Sequence, residues 1–157
     1  MSEVTMNEES QQTGNFSKQG GGILTFLIED QIYGMEISHI TDIIEMQPIT
    51  VVPKVPSYIK GVINLRGKVI PVMNVRARFG KEMIPYDERT CIIVAEVEDL
   101  VAGLIIDRVS EVVTVSADTI TPPPDYKSVN SNRFIKNIVT LNDEIKLILD
   151  CKKLIMD

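Results

Sequence analysis

The sequence predicts an all-β protein built from two copies of one small β unit that share a hydrophobic core. Most of the chain consists of short β-branched runs interrupted by Gly, Pro, Asn and Asp, a pattern typical of barrels and sandwiches with many short strands. Parts of the first half also recur in the second half, at offsets that grow from 69 to 76 residues. Each copy has about 60 residues and is marginal alone, so the two halves are expected to pack against each other.

The chain opens with a polar segment that we expect to be a flexible tail. Residues 1–22 are rich in Gln, Ser, Asn and Glu and end in three glycines. Such a segment buries too little apolar surface to offset the entropy lost on ordering. We therefore predict a tail over residues 1–22 and one folded domain over residues 23–157. Its repeat halves run from about 23 to 85 and from 86 to 157, and an exchange of strands between the two barrels stays open.

Nine apolar runs are predicted strands, because each has the length and β-branched content of a strand and ends near turn-forming residues. A Cys opens one run and glycine another, but the remaining positions are mostly Val, Ile and Leu. In chain order the predicted strands are Ile23–Ile28, Ile32–Ile37, Gly61–Leu65, Lys68–Met73, Cys91–Val97, Val101–Ile106, Val112–Val115, Ile138–Leu141 and Ile145–Leu149.

Helix signals are few and short. Asn74 is expected to cap a helix over residues 75–79, and Asp150 is expected to cap an equivalent helix over residues 151–155. Single turns are predicted after two further capping residues, Ser38 and Asp107.

The internal repeat relates two blocks of the first half to two blocks of the second. Residues 33–44 align with residues 102–113, and the glycine, the apolar positions, the hydroxyl residue and the carboxylate coincide. Residues 58–74 align with residues 134–150. Because the offset grows from 69 to 76, the second half has a loop longer by seven residues around residues 122–133.

The two copies differ at the turn between two predicted strands. The first copy has Arg66-Gly67 there, whereas the second has Asn142-Asp143. Both pairs suit a hairpin, since Gly or Asn supplies a positive φ. Such a turn does not need an arginine, so Arg66 is a candidate for a surface role beyond folding.

Composition excludes several classes of partner. The chain of 157 residues has 22 acidic and 16 basic residues, a formal charge of -6, and no basic stripe for phosphate contacts, so nucleic acid is not expected to bind. Arg76 and Arg78 are interpreted as a solvated helix face. No apolar stretch approaches the roughly 18 residues needed to span a bilayer, and no signal pattern opens the chain, so no membrane insertion and a cytoplasmic location are predicted. Cys91 and Cys151 are interpreted as two buried thiols, and their spacing leaves a disulfide open.

No catalytic or metal-binding constellation is found in the sequence. His39 is the sole histidine and is interpreted as a structural or surface residue. No Cys or His cluster has metal-ligand spacing, and no phosphate loop or nucleophile elbow is present. The acidic runs at residues 29–30 and 96–99 are interpreted as hairpin turns facing water. The sequence therefore predicts a binding module without a reaction: no enzyme, no cofactor and no metal.

One stretch resembles a known signature. Residues 58–76 read Tyr-Ile-Lys-Gly-Val-Ile-Asn-Leu-Arg-Gly-Lys-Val-Ile-Pro-Val-Met-Asn-Val-Arg. This stretch, supported by residues 33–37, 47–50 and 101–109, resembles the CheW-like domain family of bacterial chemotaxis adaptors, and the likeness covers about residues 23–155. Two departures are Asn74, where the family usually has aspartate, and Asn137, which replaces a glycine of the second copy and is compatible with the pattern if its φ is positive.

The resemblance implies two SH3-like five-stranded β-barrels packed on one core. It also implies a non-catalytic adaptor that couples the cytoplasmic tips of methyl-accepting chemoreceptors to the regulatory domain of the chemotaxis histidine kinase CheA, recruited to the inner face of the membrane through receptor arrays. The kinase-binding residues are left unassigned. By resemblance, the receptor-binding residues are Ile40, Asp42, Ile43, Gly61, Asn64, Leu65 and Arg66, with Val109 and Val112 as a secondary contact.

Other interpretations stay open. A coupling protein linked to a receiver domain, or the kinase itself, contains the same domain beside further domains that this chain lacks. A small barrel that senses a small molecule requires a cavity lined by convergent polar groups, for which few candidates are visible. An enzyme requires a nucleophile paired with a base, and no such pair is found.

Overall fold

The computed structural model describes residues 21–122 and 133–157, and most of the regular secondary structure in them is β-strand. The predicted tail lies outside the described residues except for Gly21 and Gly22, which belong to the first strand. The longer loop predicted around residues 122–133 also lies outside them except for its two ends. The predicted fold class is confirmed.

Eleven strands and two short α-helices form the described part of the chain. The 3-10 turns Ile37–His39 and Ala117–Thr119 precede two of the strands. The strands are β1 Gly21–Ile28, β2 Gln31–Glu36, β3 Ile40–Glu45, β4 Ile59–Leu65, β5 Lys68–Asn74, β6 Cys91–Val97, β7 Leu100–Ile106, β8 Arg108–Val115, β9 Ile120–Thr121, β10 Ile135–Leu141 and β11 Glu144–Leu149, and the helices are α1 Val75–Arg78 and α2 Cys151–Met156.

The predicted helix caps are confirmed, but the predicted turns after Ser38 and Asp107 are wrong. Asn74 and Asp150 each accept a hydrogen bond from the third residue of their helix. Ser38 lies inside a 3-10 turn, and Asp107 lies at a bend from which β8 starts at once. The sequence analysis also missed β3 and β9, and it started β8 four residues late. These strands contain polar residues at exposed positions, which shortened the apolar runs.

The strands form two sheets related by the internal repeat. The six-stranded sheet has the order β8-β1-β2-β11-β10-β9, and the five-stranded sheet has the order β3-β6-β7-β5-β4. A bridge between Thr50 and Val62 extends the five-stranded sheet at the position that β9 occupies in the other. The expected five strands per sheet therefore hold for one sheet, whereas β9 adds a sixth strand to the other.

Each sheet contains strands from both repeat copies. Strand β2 of the β1–β2 hairpin pairs in parallel with β11, where Ile148 lies opposite Gly34. The symmetric contact joins β5 to β7, where Val72 lies opposite Gly103. Strands of the two copies are thus exchanged, because neither sheet can be assembled from one copy alone.

The apolar side chains form a central cluster between the two sheets and a smaller cluster enclosed by each curled sheet. Alternation along β1 and β6 explains this division, since successive side chains point to opposite faces of a strand. On β6, for example, Ile93 and Ala95 belong to the central cluster, whereas Ile92 and Val94 belong to the cluster inside the five-stranded sheet. The core is therefore shared, as the repeat predicts.

The interpretation of Arg76 and Arg78 as a solvated helix face is wrong, since both side chains are buried. Arg76 donates two hydrogen bonds to the carboxylate of Asp107, over N···O distances of 2.9 and 2.6 Å. Arg78 donates to the backbone carbonyls of Leu154 and Lys153 at the end of α2. The partners lie 31 to 76 residues away in the chain, which is why spacing did not reveal them.

Candidate partner-binding surface

An ion pair joins the two edge strands of the five-stranded sheet. Asp42 lies on β3 and Arg66 on the turn after β4, and these strands are the first and last in the sheet order. The Nη2 atom of Arg66 lies 2.7 Å from Oδ2 of Asp42, although 73% of the arginine side chain is exposed. In the described part of the chain no strand pairing joins β3 to β4. The sheet therefore curls until its edges meet, and side chains rather than backbone hydrogen bonds bridge the remaining gap.

The turn that contains Arg66 has a left-handed backbone conformation, which is unusual for a residue with a large side chain. The φ angles of Arg66 and Gly67 are 53° and 84°, the left-handed pair of a type I′ hairpin turn. The side chain of Asn64 fixes the turn, because its Oδ1 accepts a hydrogen bond from the amide of Gly67 over 2.8 Å. Left-handed backbone costs a residue with a Cβ about 1 kcal/mol. Asn142 has the same φ of 53° in the other copy, so the turn alone does not explain the arginine.

The apolar residues predicted for this surface separate into two groups. Leu65 packs on the cluster inside the five-stranded sheet, on the side of the sheet that the ion pair bridges. Ile40 and Ile43 instead pack against the central cluster between the sheets. Ile44, which shares the Asp42 face of β3, packs on the same cluster as Leu65 and was missed by the sequence analysis. The apolar–polar alternation of β3 could have identified Ile44, but it was not used because β3 itself was not predicted.

Two more residues complete the apolar floor of this surface. Met46 and Ile49 follow β3 and pack, half-buried, on the same cluster as Leu65. The surface between β3 and β4, which we call the Asp42–Arg66 groove, therefore has a half-buried floor and a charged rim. Its residues are Asp42, Ile44, Met46, Ile49, Asn64, Leu65 and Arg66.

Gly61 is fixed by backbone geometry. Its φ is +146°, and a Cβ at this position would lie 2.1 Å from the carbonyl oxygen of Thr50. It forms a β-bulge opposite β5. The equivalent bulge in the second copy contains Asn137, which is not among the described residues with positive φ, so positive φ is not what makes asparagine acceptable there.

The secondary contact residues mirror Ile40 and Ile43. Val109 and Val112 lie on β8, are half-buried and pack against the central cluster. Because they occupy the repeat-equivalent positions, the structure accounts for their apolar character by packing.

A buried carboxylate joins two distant strands beside the sole histidine. Glu36, at the end of β2, contacts Nζ of Lys136 at 2.9 Å and Nε2 of His39 at 3.4 Å. Burial by itself raises the pKa of Glu36, but the hydrogen bonds and charges of His39 and Lys136 outweigh it and hold the pKa below its usual value. His39 thus has a structural contact, as interpreted from the sequence.

Both cysteines are free thiols. Cys151 is buried, and desolvation raises its pKa to about 12. Cys91 is half-buried. The prediction of two buried thiols is therefore confirmed for Cys151 but not for Cys91. Within residues 21–122 and 133–157, no group of three or more His, Cys, Asp or Glu side chains is placed to hold a metal ion.

No helix in the described part of the chain is long and apolar enough to cross a membrane. The acidic turns at residues 29–30 and 98–99 lie at the β1–β2 and β6–β7 hairpins and are exposed. The interpretation as water-facing turns holds for residues 29–30 and 98–99, whereas Glu96 and Val97 belong to β6 and Val97 is buried.

Comparison with known proteins identifies the family. The family model of the CheW-like domain matches residues 22–157. The chain belongs to the CheW-like domain family. This match covers both sheets and both helices except for Gly21, the first residue of β1.

Two relatives of the chain are named as chemotaxis proteins. The chain is 36% identical over 122 residues to the chemotaxis protein CheW of Rhizobium meliloti (strain 1021), covering 78% of this chain and 79% of that protein. It is 34% identical over 138 residues to the chemotaxis protein CheW of Thermotoga maritima, covering 85% and 86%.

A solved structure with the same fold is the scaffolding protein TtCheW from Thermoanaerobacter tengcongensis. The TM-score is 0.80 at 31% identity, and the match covers 88% of this chain and 93% of that one. The chain is thus a CheW-like member of a chemotaxis scaffold family.

Proposed function

We propose that this chain is a non-catalytic adaptor that couples the cytoplasmic tips of methyl-accepting chemoreceptors to the regulatory domain of the histidine kinase CheA. The observation that supports it most is the Asp42–Arg66 groove on a chain of the CheW-like family. The adaptor acts in the cytoplasm and reaches the inner face of the membrane by binding receptors. Relatives named as chemotaxis and scaffolding proteins support the same role.

The groove suits a helical partner. A receptor tip is a helical hairpin, and a helix docks into an apolar groove through a few side-chain anchors. Ile44 and Leu65 provide half-buried apolar surface for such anchors. Arg66 is mostly exposed, and its planar guanidinium can donate several hydrogen bonds to a carboxylate or carbonyl of the partner.

Asp42 holds Arg66 ready for this contact. The 2.7 Å ion pair lowers the number of orientations available to a long side chain, so less entropy is lost when the partner binds. Ile40, Ile43 and Gly61 then act indirectly, since they shape the strands beside the groove. Val109 and Val112 have the same indirect role on the second copy.

The test is Arg66→Ala, with binding measured to a purified receptor cytoplasmic fragment and, separately, to the kinase regulatory domain. We expect receptor affinity to fall at least about tenfold, as for a central arginine of an interface. The melting temperature is expected to stay nearly constant, because an exposed ion pair contributes about 0–1 kcal/mol.

The matched control is Asn142→Ala, which changes the repeat-equivalent turn residue with the same φ. It is expected to leave receptor binding unchanged. If Arg66→Ala lowers stability and binding in equal measure, Arg66 is structural and the groove is not the receptor site. If the unmodified protein binds neither partner, the adaptor function itself is wrong.

A further inference from the structure

The second copy of the repeat contains a groove equivalent to the Asp42–Arg66 groove. Its floor packs on the cluster inside the six-stranded sheet. The strand register relates the two grooves, since β9 pairs with β10 where the bridge from Thr50 to Val62 lies in the first copy. We call it the Glu111–Asn142 groove, and its residues are Glu111, Val113, Val115, Ile120, Leu141, Asn142 and Lys146.

The rim of this groove has the carboxylate of the first copy but not its arginine. Glu111 corresponds to Asp42 and is exposed on β8. Asn142 corresponds to Arg66 and has the same φ of 53°, so the backbone at this position is compatible with an arginine. The ion pair that bridges the edges of the five-stranded sheet therefore has no counterpart here, although a change of one residue would supply the missing guanidinium.

The floor of this groove differs from the first by one buried charge. Lys146 replaces Ile70, which is buried in the cluster inside the five-stranded sheet. It shares a face of β11 with Ile148, whose side chain belongs to the cluster inside the six-stranded sheet. Its Nζ lies 3.0 Å from Oε1 of Glu144, and 4% of the lysine side chain is exposed against 59% of the glutamate side chain. Glu144 pairs across the strands with Leu141, so the ion pair lies beside the groove floor.

Lys146 has fewer partners than two other buried polar residues that replace apolar residues of the first copy, Thr25 and Glu36. Thr25 forms two hydrogen bonds with the backbone of Glu111, over 2.7 and 3.0 Å. The carboxylate of Glu36 has two side-chain partners. The ammonium of Lys146 has three donors but, in the part of the chain that the structure describes, a single hydrogen bond, to Glu144. Its remaining N–H groups are left for water at the exposed end of the ion pair.

A buried ammonium of this kind opposes the docking of an apolar helix. A helix seated on the Glu111–Asn142 groove would exclude the water that the ammonium of Lys146 needs, and a buried charged donor without a partner is costly. The first copy has no such cost, because Ile70 contains no polar side-chain group. Discrimination between two similar sites is often achieved by a penalty at the wrong site as well as by attraction at the right one.

We infer that Lys146 is a specificity-determining residue that restricts the receptor helix to the groove of the first copy. The inference rests on the proposed function for the identity of the helix. Lys146 opposes docking, whereas Asn142 lacks the guanidinium that would anchor the helix. The chain therefore presents one receptor site, although both copies of the repeat form a groove.

The experiment gives the second groove the two residues of the first. The pair of substitutions Lys146→Ile and Asn142→Arg is made both in the unmodified protein and together with Arg66→Ala, and binding of the purified receptor fragment is measured by calorimetry. In the unmodified background we expect a second binding event per chain. In the Arg66→Ala background we expect the pair to restore an affinity within about tenfold of that of the unmodified protein. Each substitution alone is expected to restore less than the pair.

The matched control is Lys152→Ile combined with Asn142→Arg. Lys152 also pairs with a glutamate, at 2.8 Å from Glu98, but 57% of its side chain is exposed and it lies on α2. This control is expected to create no second site. The melting temperature of Lys146→Ile is expected to equal or exceed that of the unmodified protein, because apolar residues often replace a buried ion pair without loss of stability. If Lys146→Ile fails to fold, Lys146→Met decides, since methionine is unbranched like lysine and apolar.

The remaining outcomes overturn the inference in distinguishable ways. A folded pair variant that neither gains a second binding event nor restores binding to Arg66→Ala rejects Lys146 as the determinant and leaves the adaptor function standing. An equal gain in the Lys152→Ile control also rejects it, because removal of any lysine would then be sufficient. Two binding events in the unmodified protein show that both grooves are already used. Failure of the unmodified protein to bind the receptor fragment rejects the proposed function itself.

Discussion

Gly61 lies where the edge strand β4 meets the segment before it, and only glycine fits this point. Thr50 exchanges backbone hydrogen bonds with Val62 over 2.9 Å in each direction, which brings the Thr50 carbonyl against Gly61. Its φ of +146° is also a backbone conformation that residues with a side chain rarely adopt. Its presence in the sequence signature therefore has a structural cause at the level of one residue.

Gly61→Ala is expected to destabilise the fold by about 2–4 kcal/mol, because both the clash and the backbone strain must be relieved. Gly67→Ala is the matched control, since its φ is +84° but no atom lies within 4 Å of the added Cβ. That variant is expected to lose only about 1 kcal/mol. Urea unfolding of the two proteins measures the difference. Equal losses would show that the contact with Thr50 relaxes without cost.

Arg66 differs from Gly61 in what its surroundings explain. Its ion pair with Asp42 is exposed, and Asn142 adopts the same φ in the equivalent turn of the other copy. A residue in left-handed backbone whose side chain contributes little to stability is a candidate for binding. Folding thus accounts for Gly61, whereas Arg66 is the residue whose substitution tests the function.

At the scale of elements, α1 and α2 are joined by Arg78. The guanidinium donates to the carbonyls of Leu154 and Lys153 over 3.1 and 3.3 Å, and the Lys153 carbonyl also accepts a hydrogen bond from the amide of Asp157. It also stacks on the rings of Tyr58 and Phe134, at 4.2 and 4.7 Å from their centroids. Burial, as the largest influence, lowers the pKa of Arg78 below its usual value.

Arg78→Leu is expected to destabilise the protein by about 2–3 kcal/mol, because it removes both hydrogen bonds to α2, leaves the Leu154 carbonyl without its side-chain donor and removes the cation–π contacts. Leucine is the residue at the equivalent position of the second copy, so local helix propensity changes little. Hydrogen exchange of the α2 amides is expected to accelerate more than that of the α1 amides. If hydrogen exchange accelerates uniformly across the protein, Arg78 does not specifically stabilise α2.

At the scale of the whole molecule, two carboxylates tie distant parts of the chain together. Glu36 contacts Lys136, 100 residues away, and Asp107 contacts Arg76, 31 residues away. Burial tends to raise the pKa of each carboxyl, but the hydrogen bonds to charged partners outweigh it and lower both pKa values. The folded state therefore favours the ionised form of both groups.

Stability is expected to fall as pH drops through the acid range. The folded pKa values lie below the ordinary values of 4.5 for Glu36 and 3.8 for Asp107, so the contribution is present above those values. It is lost as pH falls through the folded pKa values, because the unfolded chain then binds more protons. Urea unfolding at a series of pH values checks this slope.

Glu36→Gln and Asp107→Asn are expected to be less stable near neutral pH and to lose less stability on acidification. A slope that stays the same in both variants would mean that other carboxyls govern acid unfolding. Glu36 and Lys136 join two strands of the six-stranded sheet, and Asp107 also accepts a hydrogen bond from the amide of Glu29 in the β1–β2 turn. The loss of either carboxylate therefore affects contacts between elements that are remote in the chain.

The sequence by itself determined the β class, the internal repeat, the caps Asn74 and Asp150, and the prominence of Arg66. These features depend on local chemistry, since strand propensity, capping and turn geometry act over a few residues. The family signature at residues 58–76 added the expected architecture. Even so, β3 was missed, because its alternation places Thr41, Asp42 and Glu45 among apolar residues.

Only the tertiary structure decided which side chains meet. It buried Arg76 and Arg78 against partners up to 76 residues away and separated Ile40 and Ile43 from Leu65. Strand order, curling of the sheets and the parallel contacts between copies bring these residues together. The physical reason is that such contacts depend on long-range packing and register, which local sequence patterns do not specify.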